Sequence, residues 1–462
     1  MGIAFNPFNI DVPTNIRAPP RLLRYIYVEA PAKAQENAKA VELRHSVSLA
    51  DAGAAAAGVA DAALGAGFAA VRAAAVFPAK LPAPVGQLVV IAIGKAAVPL
   101  MAAAQGLSQV PLAGLVVAPH GHMPAGVGWP GVVIIAAGHP IPDGNSVIAA
   151  DAALALAAGL GADDHLLMLV SGGGSALLAA PVAGVGLGDK AAVTRALLRS
   201  GAAIGEINAV RAMLSRIKGG RLAAACRAPV TTWIISDIPG DDPALVASGP
   251  TLSNGGTLAK ARDILGRFDI ELPASVAAAL RDPANVPPLA KHNGDVRILA
   301  RARDALDAVV GVVRDAGYAV IDLGDALEGE ARVVGAEHAA LALRLAHTGG
   351  RHAIVSGGET AVTVTATGGR GGRNLEFALG LAIGLDGAPG ITALAADSDG
   401  IDGSSHAAGA RVGADTLARG GDAAGFLARN DAHGFFAAIG DLVVTGPTLT
   451  NVNDIRIILI DR

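Results

Sequence analysis

Aromatic side chains are almost missing from this chain: Phe, Tyr and Trp together make up 3% of its 462 residues. A core without them has to be assembled from small aliphatic groups, and 60 glycines point to many close backbone approaches. Charge is thin as well, at 16% Asp, Glu, Lys and Arg with a net charge of -4, and no basic tract is interleaved with aromatics. Nucleic acid is therefore not an expected partner. The single cysteine, Cys226, excludes an intramolecular disulfide, so a reducing, cytoplasmic location is expected. The longest apolar run, residues 52–77, is carried by Ala and Gly and interrupted by Asp61 and Arg72, so no membrane span is expected. Residues 1–44 lack the basic-then-apolar order of a secretion signal, are rich in proline and read as an irregular arm.

What is present, from about residue 45, is alternation. "QLVVIAIG", "LAGLVVAPHG", "GVVIIAAG", "HLLMLVSGG" and "VTTWIISD" are short continuous apolar runs, as for strands covered on both faces, and alanine-rich helical stretches separate them. Asn145 or Ser146 is placed to cap one of those helices. The pattern is that of α/β layers around a mainly parallel sheet. A second strand–helix–strand series starts with "GDVRILA" near residue 295, and the alternating, Thr- and Val-rich "TAVTVTAT" at 360–367 predicts a mixed sheet there. Three parts are expected: the arm at 1–44, an N-terminal domain at 45–290 and a C-terminal domain at 291–462.

The familiar nucleotide fingerprints fail on inspection. "GAGFAA" at 65–70 has the glycine spacing of a dinucleotide loop, but a helical segment precedes it where a strand is required. Gly94-Lys95 lacks the upstream glycine and the hydroxyl of a P-loop. "SGGGSAL" is not a nucleophile elbow, because Leu177 stands where the second glycine would be.

Other loops keep chemical content. Ser171, Gly172, Gly173, Gly174 and Ser175 join a strand to a helix and offer flexible backbone N–H groups with two hydroxyls, a cradle for nucleotide phosphates. Lys95 stands at the start of a helix, where a cation is unfavourable unless an anion joins it. Arg370 and Arg373 lie on "GGRGGRNLE", with Asn374 and Glu376 able to cap the next helix. Asp397, Asp399 and Asp402, and then Thr448, Asn451, Asn453 and Asp454, fill turns at strand ends. "SDIPGDD" places Asp237, Asp241 and Asp242 after an apolar strand; Asp237 is the expected catalytic or metal-related carboxylate, whereas Asp241 and Asp242 could as well hold the turn.

Taken in order, "IGKAA", "GHPIPD", "SGGGSALL", "SDIPGDD", "SGPT", "SGGETAV", "GRGGRNLE", "DGIDG" and "GPTLTNVND" resemble the glycerate 2-kinases that end in a MOFRL domain, over nearly everything from residue 55 to 460. The resemblance implies a doubly wound, Rossmann-like N-terminal domain and a smaller α/β domain with a cleft. It also implies ATP-dependent phosphorylation of D-glycerate at the 2-hydroxyl with Mg²⁺. The family's functional residues fall on Lys95, Asp237 and Arg373, with Lys95 and Arg373 toward the substrate and Asp237 and Asp241 as candidate metal ligands. Leu449 departs from the glycine usual in "GPTGTNVND". Two alternatives are an NAD(P)H-dependent hydroxypyruvate reductase and a non-enzymatic sugar-phosphate sensor; the first lacks a supported dinucleotide loop. A homodimer is compatible with the sequence but not required by it.

Overall fold

The computed structural model describes residues 52–287, 294–366 and 368–461. The arm expected at 1–44 and the boundary expected at 290/291 lie outside those residues. The chain forms two compact units. The first contains Phe77–Ile234 and Asp242–Ile298; the second contains the segment up to Val76, Ile235–Asp241 and Leu299–Arg462.

In the first unit, β1 (Leu88–Ile93), β2 (Ala113–Pro119), β3 (Val132–Ala137), β4 (His165–Val170), β5 (Val230–Ile235) and β6 (Val296–Ala300) form one sheet in the order β3-β2-β1-β4-β5-β6. Strands β1 to β5 pair in parallel, and their residues are mostly buried. Such runs need no polar alternation because both faces are covered. The order reverses between β1 and β4, the switch point at whose carboxyl end doubly wound sheets bind ligands. Gly94 follows β1 at φ 109°, and a Cβ there would collide with the Oγ and carbonyl oxygen of Ser171, so only glycine lets the two loops lie together. The helix Gly144–Gly159 is capped by Asp143, whose carboxylate accepts the Ser146 N–H at 3.0 Å while Ser146 Oγ accepts the Asp143 N–H at 3.1 Å. The cap is thus one position from the start rather than Asn145 or Ser146 itself. A satellite core joins Val193, Leu197, Val210, Met213, Ile264 and Leu280.

The second unit holds a mixed sheet, β11-β10-β9-β12-β8-β7, made of β7 (Ala319–Asp322), β8 (Arg351–Gly358), β9 (Ile391–Asp397), β10 (Gly409–Val412), β11 (Leu442–Val443) and β12 (Asp454–Asp461). β7 and β8 are parallel; β12 runs antiparallel to both β8 and β9. A mixed sheet was expected, but from the wrong segment. Residues 360–367 include no strand among the described residues. Ala361 makes only an isolated bridge to Glu330, and side chains take the next N–H groups: Glu330 accepts that of Thr363 at 3.1 Å, and Asn430 Oδ1 accepts those of Thr365 and Ala366 at 2.9 and 3.3 Å. The antiparallel strand comes instead from "DIRIILID" at the chain's end. The helix Ala52–Ala70 belongs to this second unit, against the N-terminal placement expected from its sequence position. It can lie close because Gly67 presents no side chain: a Cβ there would stand 2.9 Å from Val309 Cγ2 and 3.2 Å from Ile455 Cδ1.

Candidate active site

In the first unit the candidate residues lie on the pair of turns after β1 and β4. Lys95 donates its backbone N–H to Gly172 at 2.9 Å, two residues before the helix Ala97–Leu107 begins. Ser171 is buried, and its hydroxyl is committed: it donates to the Ile93 carbonyl at 3.1 Å and accepts the Ala96 N–H at 3.0 Å. Gly173 sits at φ 84°, with space for a Cβ closed by His139 Cδ2 at 3.0 Å. Desolvation, the Lys95 charge and His122 all hold the His139 imidazole below its ordinary pKa. Gly174–Leu177 is only four residues long, too short to add helix-dipole support for a phosphate at this loop.

Ser175 faces a different neighbourhood. Lys218 Nζ donates to its carbonyl at 2.7 Å and to its Oγ at 2.9 Å. Ser175 Oγ and Ser248 Oγ are 2.8 Å apart, and Ser248 donates onward to Asn208 Oδ1 at 2.8 Å. With that proton spent, the Ser175 hydroxyl is the donor in the first contact. Ala247, Ser248 and Gly249 are all left-handed, at φ 52°, 61° and 58°, a run that non-glycine residues rarely adopt and that seats Ser248 against Ser175.

In the second unit, the junction leading into β12 carries two interactions side by side. Asn451 Nδ2 donates to Asp237 Oδ2 at 3.0 Å, and Asn453 Nδ2 donates to the Asp237 carbonyl at 2.6 Å. The next residue, Asp454, accepts from Arg373 Nε at 2.9 Å, from Asn374 Nδ2 at 2.7 Å and from Arg456 Nη2 at 2.6 Å. Arg373 also reaches Asp397 at 3.0 Å and Glu359 at 2.5 Å, so each of its nitrogens meets a carboxylate. Burial pushes the Asp454 carboxyl up, while Arg373 and Arg456 oppose that shift. The N-terminus of the helix Arg373–Leu385 is capped by neither Asn374 nor Glu376. Asp402 does this from another loop, accepting the N–H groups of Asn374 and Leu375 at 3.0 and 2.9 Å. Burial raises the Asp402 carboxyl to about 7 despite those bonds. Glu376 is buried instead on Asn430 and Arg332.

The three aspartates after β5 separate by role. Asp237 is held by two asparagines. Asp241, at φ 53°, lies 3.9 Å from Arg301, and Asp242 closes a turn by accepting the Ala244 N–H at 2.9 Å. Among the described residues no group of three or more His, Cys, Asp or Glu is arranged to hold a metal ion. Mg²⁺ asks less, binding through one or two carboxylates together with substrate phosphates. The oriented carboxylate of Asp237 fits that pattern; Asp241, turned to an arginine, fits it less well. Burial raises the Cys226 thiol pKa, which disfavours the thiolate a nucleophile needs.

Comparison with known proteins places this arrangement. Residues 28–281 match a domain of unknown function (DUF4147), and residues 352–454 match the MOFRL family. A D-glycerate 2-kinase of Thermotoga maritima is 35% identical over 384 residues, covering 81% of this chain and 91% of the relative. The crystal structure of a glycerate kinase from Thermotoga maritima superposes with a TM-score of 0.77 at 33% identity, covering 88% of this chain and 99% of that one. The chain belongs to the glycerate kinase family that carries a MOFRL domain. A member of that family is a phosphotransferase and a nucleotide-dependent kinase. A relative from Agrobacterium vitis, 50% identical over 387 residues and covered along 100% of its length, bears the name putative hydroxypyruvate reductase. No helix among the described residues is long and apolar enough to cross a membrane.

Sequence reasoning missed the cations behind Ser175. Lys190, Val193 and Leu197 are the buried residues of the helix Leu187–Arg199. Their i, i+3, i+7 spacing puts a lysine on the apolar stripe, a signal that was available.

Proposed function

We propose that the protein transfers the γ-phosphoryl group of ATP to the 2-hydroxyl of D-glycerate, giving 2-phosphoglycerate and ADP. The observation that carries this reading is the turn after β1. The sheet has the strand order of dinucleotide-binding domains, yet at the position of their glycine fingerprint this chain has Gly94-Lys95-Ala96-Ala97. One glycine and a lysine suit a phosphate or carboxylate better than a pyrophosphate lying on a bare helix end.

In the reaction, the 2-hydroxyl oxygen forms a bond to the γ-phosphorus as the bond to the β–γ bridging oxygen breaks, and the hydroxyl proton has to leave. Asp237 accepts that proton; the Asn451 and Asn453 bonds orient its carboxylate and backbone. Lys95 neutralises charge on the substrate carboxylate or the transferring phosphoryl group, where fixed cations are most effective. Arg373 acts through its carboxylates: it fixes Asp397 and Asp454 and thereby the junction that carries Asn453. Gly172, Gly173 and Ser175 offer backbone N–H groups to the nucleotide, those of Ser171 and Gly174 being taken by the Ile93 and Ser171 carbonyls. Mg²⁺, when bound with ATP, would neutralise phosphate charge; Asp237 would hold it in place of taking the proton, and the kinetics of Asp237→Asn separate the two roles.

The test is direct. Purified protein supplied with ATP, Mg²⁺ and D-glycerate should release ADP and form 2-phosphoglycerate, read by phosphorus NMR. NADH oxidation with hydroxypyruvate, without ATP consumption on glycerate, would move the chain to the reductase reading.

A further inference from the structure

Behind Ser175 the first unit gathers cations that meet no carboxylate among the described residues. Lys190 comes from the helix Leu187–Arg199, Arg211 from the helix Ile204–Met213, Lys218 from the turn that follows, and Arg221 from the start of the helix Arg221–Ala225. Lys190 and Lys218 are 5% and 2% exposed. Among the described residues the Lys190 ammonium has no hydrogen-bond partner, and neither has Arg221 Nε. Among the described residues none of the four forms an ion pair; the nearby Arg216 does, with Asp151 at 2.6 Å. Their charges act on one another: Arg211, Arg221 and Arg216 lower the Lys190 pKa after burial has done so, to about 7, and Arg211 and Lys190 lower that of Lys218.

A buried amine with neither an acceptor nor a counter-charge among the described residues is costly to keep charged, and such a group calls for an explanation. An ordinary core would place methionine or leucine at position 190. A small monovalent anion answers only part of the charge. A carboxylate brings one charge and two oxygens, whereas a phosphate brings up to two charges and several acceptor oxygens and suits guanidinium and ammonium donors together. The neutral groups lining the cluster are already arranged around it: the Lys218, Ser175, Ser248 and Asn208 chain points every hydroxyl proton away from the lysine, leaving Lys218 a donor.

We propose that Lys190, Arg211, Lys218 and Arg221 form a phosphate-binding site next to the Ser175 turn. Its ligand is a phosphate or polyphosphate group, carried either by the nucleotide or by a separate phosphorylated metabolite. The proposal depends on the kinase reading only for the first of these sources. It also predicts opposite signs for binding and stability at one residue, because removing an unpaired buried charge relieves repulsion while removing a ligand contact.

Isothermal titration of the full-length protein with inorganic pyrophosphate is the test, comparing wild type with Lys190→Met and, from a different helix, Arg211→Gln. Wild type should bind, each variant should bind at least about tenfold more weakly, and Lys190→Met without ligand should melt at the wild-type temperature or above it. If the KM for ATP rises in parallel while that for D-glycerate holds, the phosphate is the nucleotide's; if the KM for ATP holds, it belongs to a separate ligand. Both results support the site. Wild-type protein that binds neither pyrophosphate nor ATP, or a Lys190→Met variant that binds pyrophosphate as wild type does, would overturn it. Because binding is read without turnover, a protein that binds pyrophosphate through Lys190 but does not phosphorylate glycerate would sink the proposed reaction and leave this site standing.

Discussion

Lys218 Nζ lies 2.9 Å from Ser175 Oγ and 2.7 Å from the carbonyl oxygen of the same residue. A lysine this buried is tolerable only because acceptors meet it, and Ser175 supplies both of its bonds. Replacing Ser175 with alanine removes one acceptor from Lys218 and the donor to Ser248 at once. The expected loss is ~1–3 kcal/mol of stability, the cost of leaving buried polar groups unsatisfied. Denaturant unfolding measures it. A variant as stable as wild type would show that the chain from Lys218 to Asn208 is not maintained in solution.

His338 carries a pH dependence. It is buried, with Nδ1 2.8 Å from the Val334 carbonyl and Nε2 3.1 Å from Ser356 Oγ, and its ring meets Phe377 edge-on. Burial lowers its pKa to about 4; the Val334 carbonyl opposes that shift and the Arg456 charge adds to it. Between pH 6.5 and 4 the unfolded chain takes up a proton that the folded chain refuses. The stability tied to neutral His338 is therefore whole above 6.5 and is lost as pH falls through 4, on the order of 3 kcal/mol at most. Stability measured across that window should fall less steeply in His338→Gln than in wild type; equal slopes would remove His338 as a source.

The parts of this structure that could be read from sequence are those where residue type and local geometry agree. Continuous apolar runs became β1 to β5, and the positions needing glycine, such as Gly94 and Gly173, proved to be close approaches. What escaped is what tertiary packing decides. "TAVTVTAT" has strand propensity, but Glu330 and Asn430 took its backbone donors before any strand could. Arg456, 0% exposed inside the apolar run of β12, looks in sequence like an edge charge; only the fold brings Asp454, Gly357 and Thr360 to it. Arg373 was legible as an anion-binding arginine, but not as one whose three nitrogens already meet Glu359, Asp397 and Asp454.

Leu449 offers a test of local strain. It lies at φ 60°, in the left-handed region, where a leucine costs ~1 kcal/mol and where asparagine is tolerated. Leu449→Asn should raise stability by up to about 1 kcal/mol, and the β-branched Leu449→Val should lower it. Thermal melting of the pair decides the matter: if valine is the more stable, the loop adopts another backbone conformation.

Asp237→Asn preserves shape while removing the negative charge, and the Asn453 bond to the backbone carbonyl is untouched by it. The Asn451 amide, which donates to Oδ2 at 3.0 Å, can still find an acceptor in the new side chain. Stability should therefore change little. If Asp237 takes the hydroxyl proton, kcat should fall by roughly 10²-fold or more, since the group that accepts the proton in the transition state is gone. The fall should appear in kcat and in kcat/KM for D-glycerate together, the signature of an interaction made mainly in the transition state. If Asp237 chiefly holds Mg²⁺, raising the metal concentration should recover part of the activity and the KM for ATP should rise as well. A third role, tying the turn after β5, predicts the reverse: a lowered melting temperature with near-normal turnover in the folded fraction. A well-folded Asp237→Asn protein with wild-type kcat at saturating Mg²⁺ would take Asp237 out of the chemistry, leaving the carboxylates around Arg373 to be tested as the proton acceptor.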